Sequence, residues 1–135
     1  MTDQQVFIWE SEVRDNETDL QGVVNNANYF IYMAHARHKH LQSLGIDFAK
    51  MHEEGCDFFL IKSEVNFKAP LQSGDEFVVT SKMQPNGRIR FDFVQDVIRK
   101  SDNKVVVSAI NTATAVNIET KRPALPDKIK ELLAD

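Results

Sequence analysis

Between Val6 and Arg14 the side chains alternate, with Phe7, Trp9 and Val13 set among more polar neighbours. That period of two belongs to a strand with one buried face. From Asp15 to Asn28 the alternation is lost among Asn, Asp, Thr and Gly, residues that favour turns, Asx hydrogen bonds and helix caps. Asn28 to Leu44 then contains neither Gly nor Pro, and Tyr29, Tyr32, Met33, Ala36, His40, Leu41 and Leu44 recur at helical spacing. The spacing predicts a helix of about four to five turns, closed by Gly45. Its first half, Tyr29 to Ala34, is apolar nearly all round, which predicts a helix enclosed on every side. A short helical segment over Phe48 to Glu54 follows, with Asp47 as its N-cap and Gly55 as its stop.

The rest reads as strands. Phe59, Ile61, Val65 and Phe67 fall on one face, with Leu60, Lys62, Glu64, Asn66 and Lys68 on the other. Ala69-Pro70 and Ser73-Gly74-Asp75 break this strand and turn the chain. Phe77, Val79 and Met83 mark the next strand, Pro85-Asn86-Gly87 signals a hairpin, and Ile89, Phe91, Phe93 and Val97 mark its return. After a turn at Ser101-Asp102-Asn103, Val105 to Ile118 is apolar or small on both faces, as a central strand covered on both sides would be. Pro123 and Pro126 end it, and Asp127 to Leu133 predicts a short closing helix. The order is an α+β arrangement, an antiparallel sheet of about five strands with one long central helix, in a single domain spanning 1–135. One sheet around one apolar helix leaves its edges uncovered, so self-association is expected.

Composition narrows the function classes. At 135 residues, with 42% hydrophobic and 27% charged residues, the chain is a packed globular protein. No run approaches the roughly 18 apolar residues of a membrane span, and Met1 to Gln5 lacks a signal peptide's apolar core. No membrane association and a cytoplasmic location are therefore expected. Cys56 is alone, which agrees with a reducing compartment. A net charge of −4 argues against nucleic-acid binding, which rests on clustered Lys and Arg.

The informative stretch is Glu17 to Tyr29, which runs directly into the long helix. A helix N-terminus carries unpaired N–H groups and a partial positive charge that stabilise a developing oxyanion. A carboxylate a few residues upstream, Asp19, then supplies a base or nucleophile. Gly22 lets the backbone turn tightly, and Asn25 or Asn26 caps the helix. Taken alone, Asp19 reads more readily as a turn-capping carboxylate.

The phrases Asp19-x-x-Gly22-Val23-Val24, Asn25-Asn26-x-x-Tyr29 and Ala36-Arg37 resemble the 4-hydroxybenzoyl-CoA thioesterase family of hotdog proteins. Val65-Asn66-Phe67-Lys68-Ala69-Pro70, followed by Gly74-Asp75, is similar to that family's second-strand and turn pattern. The resemblance covers about Arg14 to Val116. It implies a hotdog fold, a homodimer or homotetramer, and hydrolysis of an acyl-CoA thioester without metal or cofactor. It implies that Asp19 attacks the thioester or activates water, and that the Asn26 N–H polarises the carbonyl. It places Gly22, Val23, Val24, Asn25 and Tyr29 of one subunit around the substrate with Ile61, Lys62 and Ser63 of the other. Lys68, Arg88 and Arg90 are the cations for CoA phosphates. Two departures stand out: related thioesterases often carry His where Val23 stands and Glu near Ala34, so a mechanism that uses either group is closed to this chain.

Other features carry blander readings. Of His35, His38 and His40 only the first two share a helix face, and no acid accompanies them at a spacing of three or four, so metal binding is not expected. Cys56 stands among acidic neighbours that raise its pKa, the profile of an incidental cysteine. Phe30, Tyr32, Phe91 and Phe93 follow helix and strand periods and read as core. Lys121-Arg122 reads as a solvated turn. A noncatalytic acyl-thioester binding module and a thioesterase acting on acyl carrier protein are the alternatives. A hydratase ranks last, because its His is missing from the active loop.

Overall fold

The computed structural model describes residues 6–134, so the polar Met1–Gln5 segment lies outside the described residues. The elements follow the sequence pattern: β1 (Phe7–Glu12), α1 (Asn26–Ser43), α2 (Phe48–Glu53), β2 (Cys56–Phe67), β3 (Glu76–Asn86), β4 (Arg90–Arg99), β5 (Lys104–Asn117) and α3 (Asp127–Leu133). All five strands form one antiparallel sheet in the order β1-β3-β4-β5-β2. The turn chemistry is local. Gly87 supplies a φ of 76° to the β3–β4 hairpin, and Arg99 closes the β4–β5 turn with two hydrogen bonds to Asp102.

Alternation puts Phe77, Val79, Phe91, Phe93, Val97 and Val107 on the inner face, each no more than 2% exposed. Helix α1 packs on that face through Tyr29, Tyr32, Met33, Ala36 and Leu41, as its spacing predicts. Asn25 caps it by accepting from the Ala27 N–H at 2.9 Å. Asp47 caps α2 in the same way, and α3 seats a fully buried Ile129 in the far end of the core. One long helix against a five-stranded antiparallel sheet is the hotdog fold.

Three expectations change. Helix α1 is not enclosed by its own chain, because Phe30 and Ile31 remain 41% and 60% exposed. Strand β2 does not keep one face throughout. A bulge between Leu60 and Lys62 adds one residue against β5 and reverses the parity of everything after it. Phe58 and Leu60 therefore point inward opposite Ala115 and Ala113, and beyond the bulge Ser63, Val65 and Phe67 do so. Phe59, expected to share a face with Val65, stands on the opposite one. Strand β5 is covered on its inner face, whereas on its outer face Ile110 is 39% exposed while Thr112 and Thr114 are buried.

A polar row crosses the inner face between two apolar clusters. Gln95, fully buried, donates from Nε2 to the Met33 carbonyl at 3.1 Å and accepts at Oε1 from Arg37 Nη1 and Asn111 Nδ2 at 3.1 and 2.8 Å. His40, 5% exposed, meets the Ser81 hydroxyl at 3.0 Å and stacks on Phe7. Apart from Asn111 Oδ1, which is buried without a hydrogen-bond partner among the described residues, the buried polar atoms of this row are satisfied, and such groups fix register as well as adding stability.

Burial lowers the His40 pKa to about 4, because the core penalises the imidazolium. The folded value lies below the unfolded one near 6.5, so this stability is complete above pH 6.5 and is lost as pH falls toward 4. The loss attributable to His40 over that window is about 3 kcal/mol. Denaturant unfolding measured from pH 7 to 4 should show a flatter decline in His40→Gln than in the wild type.

Candidate active site

The segment before α1 is a small clamped hairpin. Thr18 pairs with Val24, the Asp19 N–H donates to the Val23 carbonyl at 2.8 Å, and the Gly22 N–H donates to the Asp19 carbonyl at 3.0 Å. Gly22 has a φ of 79°, the left-handed conformation that this tight turn requires. The hairpin is tied to the body on two sides. Val23 pairs with Gln72, and the Val24 N–H donates to the Leu71 carbonyl at 2.8 Å. On the other side, Glu17 Oε1 accepts from the Tyr32 hydroxyl and the Arg14 N–H at 2.8 and 2.9 Å. The Glu17 carbonyl takes Asn28 Nδ2 and the Asn25 N–H.

These anchors were not singled out by sequence reasoning. Glu17 lies in the informative loop, but nothing in its neighbourhood betrays a partner fifteen residues away on the helix. Burial and the bond to Glu17 both raise the Tyr32 pKa, so the phenol stays protonated and donates.

Asp19 is exposed at the base of this hairpin, one oxygen accepting from the Gln21 N–H at 2.8 Å. Its other oxygen takes no hydrogen bond among the described residues. Asn26 opens α1, and its N–H likewise has no partner among the described residues, because the cap from Asn25 goes to Ala27. A carboxylate and a free helix N–H thus belong to one rigidly tied segment. Val23 is half-buried beside them, whereas Val24 and Tyr29 point into the core, 4% and 2% exposed. The Tyr29 hydroxyl accepts from the Leu71 N–H at 3.1 Å, which makes it a support of the loop.

The remaining predicted residues divide. Ile61, Lys62 and Ser63 lie exposed on β2, an edge strand of twelve residues whose outer side pairs with no strand among the described residues. Lys62 is ion-paired to Glu64 at 2.8 Å, and Ser63 faces inward opposite Asn111. Lys68, Arg88 and Arg90 do not form one patch in a single chain. Lys68 is hydrogen-bonded beside Val106, and Arg90 pairs opposite Thr114, eight residues further along β5, or about 26 Å. Arg88 shares the hairpin end with Arg90, away from the Asp19 loop.

A cavity of about 250 Å³ opens between α1 and the sheet, lined by Arg37, His38, Leu41, Phe58, Leu60 and Phe93 among others. It lies three turns along α1 from the Asp19 loop, so cleft and carboxylate are separate features of one chain. The three helix histidines diverge: His35 packs on Trp9, His38 on Phe48, and His40 in the core. Among the described residues no group of three or more His, Cys, Asp or Glu converges as a metal site. Burial, then the neighbouring Asp57, raises the Cys56 pKa, so this thiol is not a ready nucleophile. Among the described residues no helix is long and apolar enough to cross a membrane.

Comparison with known proteins shows the family and the fold. Residues 13–133 match the profile of the Thioesterase-like superfamily. A putative esterase of Aquifex aeolicus is 31% identical over 129 residues, covering 96% of this chain and 98% of its own. A chloroplastic acyl-acyl carrier protein thioesterase of Arabidopsis thaliana is 31% identical over 121 residues, 90% of this chain and 64% of its own length. The crystal structure of a 1,4-dihydroxy-2-naphthoyl-CoA thioesterase from Synechocystis superposes with a TM-score of 0.89 at 20% identity, covering 97% of both chains. The chain belongs to the thioesterase-like superfamily, and its activity is thioester hydrolysis on a hotdog fold.

Proposed function

We propose that the substrate is an acyl-CoA thioester and that Asp19 and the tip of α1 cleave it in a cleft completed by a second copy of the chain. The observation that carries the reading is an Asn26 N–H without a partner among the described residues, together with an exposed carboxylate, Asp19, on the clamped loop that leads into it. The resemblance to the 4-hydroxybenzoyl-CoA family supports the same two roles. The Asn26 N–H and the helix dipole hold the carbonyl oxygen as it gains charge. Asp19 either attacks the carbonyl carbon, giving a mixed anhydride that water opens, or takes a proton from the attacking water. In both routes the C–S bond breaks, CoA leaves as the thiolate, and water supplies the oxygen of the free acid.

The partner follows from what one chain leaves bare. Phe30 on α1 and Phe67 on β2 meet edge to face with ring centroids 6.3 Å apart, and Ile31 and Ile61 are exposed on the same two elements. Antiparallel pairing of two β2 edges about a twofold axis brings opposite strand ends together. It sets Ile61, Lys62 and Ser63 of one copy toward the Asp19 loop of the other. The hairpin end that bears Arg88 and Arg90 then approaches the partner's Lys68 end, where CoA phosphates would meet them. The protein works as a cytoplasmic homodimer of one-domain chains. Acyl carrier protein is the rival carrier, since the Arabidopsis relative is an acyl-acyl carrier protein thioesterase.

Two outcomes are expected. Asp19→Asn lowers kcat by about 100-fold or more across a panel of acyl-CoA and acyl-carrier-protein substrates read by thiol release, with melting temperature and oligomeric state unchanged. Wild-type turnover in that variant removes the reading. Sedimentation gives a dimer for the wild type, and Ile61→Asp yields a folded monomer without turnover; an active monomer would show that the site is complete in one chain.

A further inference from the structure

The cavity under α1 holds a charge that the chain does not neutralise. Arg37 donates from Nη1 to Gln95, and no carboxylate among the described residues lies within ion-pair distance of it. Ala34, one turn earlier on the same cavity wall, offers none. Burial lowers the Arg37 pKa to about 10, which leaves the group cationic at neutral pH. Its position is fixed, because Gln95 is itself held by Met33 and Asn111. A guanidinium has five N–H donors in a planar fork suited to a carboxylate, and among the described residues only one of them finds a partner. Leu41, Phe58, Leu60 and Phe93 form apolar walls around it. A cation held in such surroundings without an anion carries an uncompensated desolvation cost.

The cavity lies on the same helix as the candidate site, three turns further along. Phe30, Ile31 and Ala34, all exposed, form a stripe on α1 that leads from the Asn26 end to the cavity. From Asn26 to Arg37 the helix rises about 16 Å. An extended chain advances about 1.2 Å per bond, so about 13 bonds span that distance. The volume, about 250 Å³, is at the small end for ligand sites and suits the terminal part of a chain.

We propose that Arg37 selects acyl groups that end in a carboxylate, so that the substrates are CoA monothioesters of medium-chain dicarboxylic acids. The thioester lies at the Asn26 N–H, the methylenes lie along Phe30, Ile31 and Ala34, and the terminal carboxylate pairs with the guanidinium. A methyl terminus would instead leave the cation buried and unpaired. Arg37 is a specificity residue and stays clear of the bond that breaks. The inference rests on the reading of the helix tip as the hydrolytic site.

The test compares dodecanedioyl-CoA with dodecanoyl-CoA. In the wild type kcat/KM favours the dicarboxylic substrate by about tenfold or more, the worth of a charge-assisted hydrogen bond. In Arg37→Met that preference falls by about 10- to 100-fold through KM, dodecanoyl-CoA turnover holds within about twofold, and Arg37→Lys keeps part of the preference. Calorimetry with the non-hydrolysable thioether analogues of the two chains reads the same preference on the wild type without turnover, whatever the stability of the variants. Equal binding of the two analogues overturns the inference, as does an equal loss with both substrates in Arg37→Met, or weakened self-association in place of altered selectivity. Hydrolysis of neither substrate by a wild type that still prefers the dicarboxylic analogue would count against the hydrolytic reading and leave the selectivity standing.

Discussion

A helix that is apolar nearly all round cannot be covered by one sheet, and the organisation of this protein follows from that mismatch. The sheet takes Tyr29, Tyr32, Met33, Ala36 and Leu41. Phe30 and Ile31 are left facing out beside an edge strand whose outer side is unpaired. Burying that surface is worth about 25 cal/mol for each Å² of apolar area removed from water, a driving force aimed at one side of the molecule. Asn26, whose N–H has no partner among the described residues, opens the same helix one turn before Phe30. Association and the assembly of the site are thus one event in the proposed enzyme.

The position of α1 on the sheet is set by polar contacts as much as by packing. Apolar surfaces slide at little cost, whereas Gln95 has one place where it can meet Met33, Arg37 and Asn111 together. Glu17 and Leu71 then fasten the loop to the helix it precedes and to the strand connection beneath it. Each such bond contributes about 1 kcal/mol, and their joint effect is to hold Asp19 and Asn26 in fixed relation. Preorganisation of this kind matters most for electrostatic stabilisation, which loses its value when donors must reorient during the reaction.

The two departures from the resembling family act in the same direction. With Val23 in place of a histidine and Ala34 in place of an acid, the helix tip keeps one ionisable group, Asp19, as the proposed reactive group. The same small Ala34 leaves Arg37 with no carboxylate on the cavity wall. One substitution therefore bears on both ends of the acyl chain: it simplifies the chemistry at the thioester and frees a cation at the far end.

The sequence by itself determined the element order, a cap at Asn25 or Asn26 that the structure assigns to Asn25, the cap at Asp47, the glycine stops, and the buried faces of α1, β3 and β4. Each is a local choice written in periods of 3.6 or 2 and in residues with special backbone freedom. It also marked the Asp19 loop, because a carboxylate, a glycine and two asparagines ahead of an apolar helix form a short-range pattern. Tertiary structure alone decided the bulge in β2 that parts Phe59 from Val65, the anchoring of Glu17 by Tyr32, the separation of Lys68 from Arg90, and the isolation of Arg37. Those outcomes depend on contacts between residues far apart in the chain, such as Arg37 with Gln95, 58 positions away. Such contacts leave no period in the chain, since they arise only when a whole helix settles on a whole sheet.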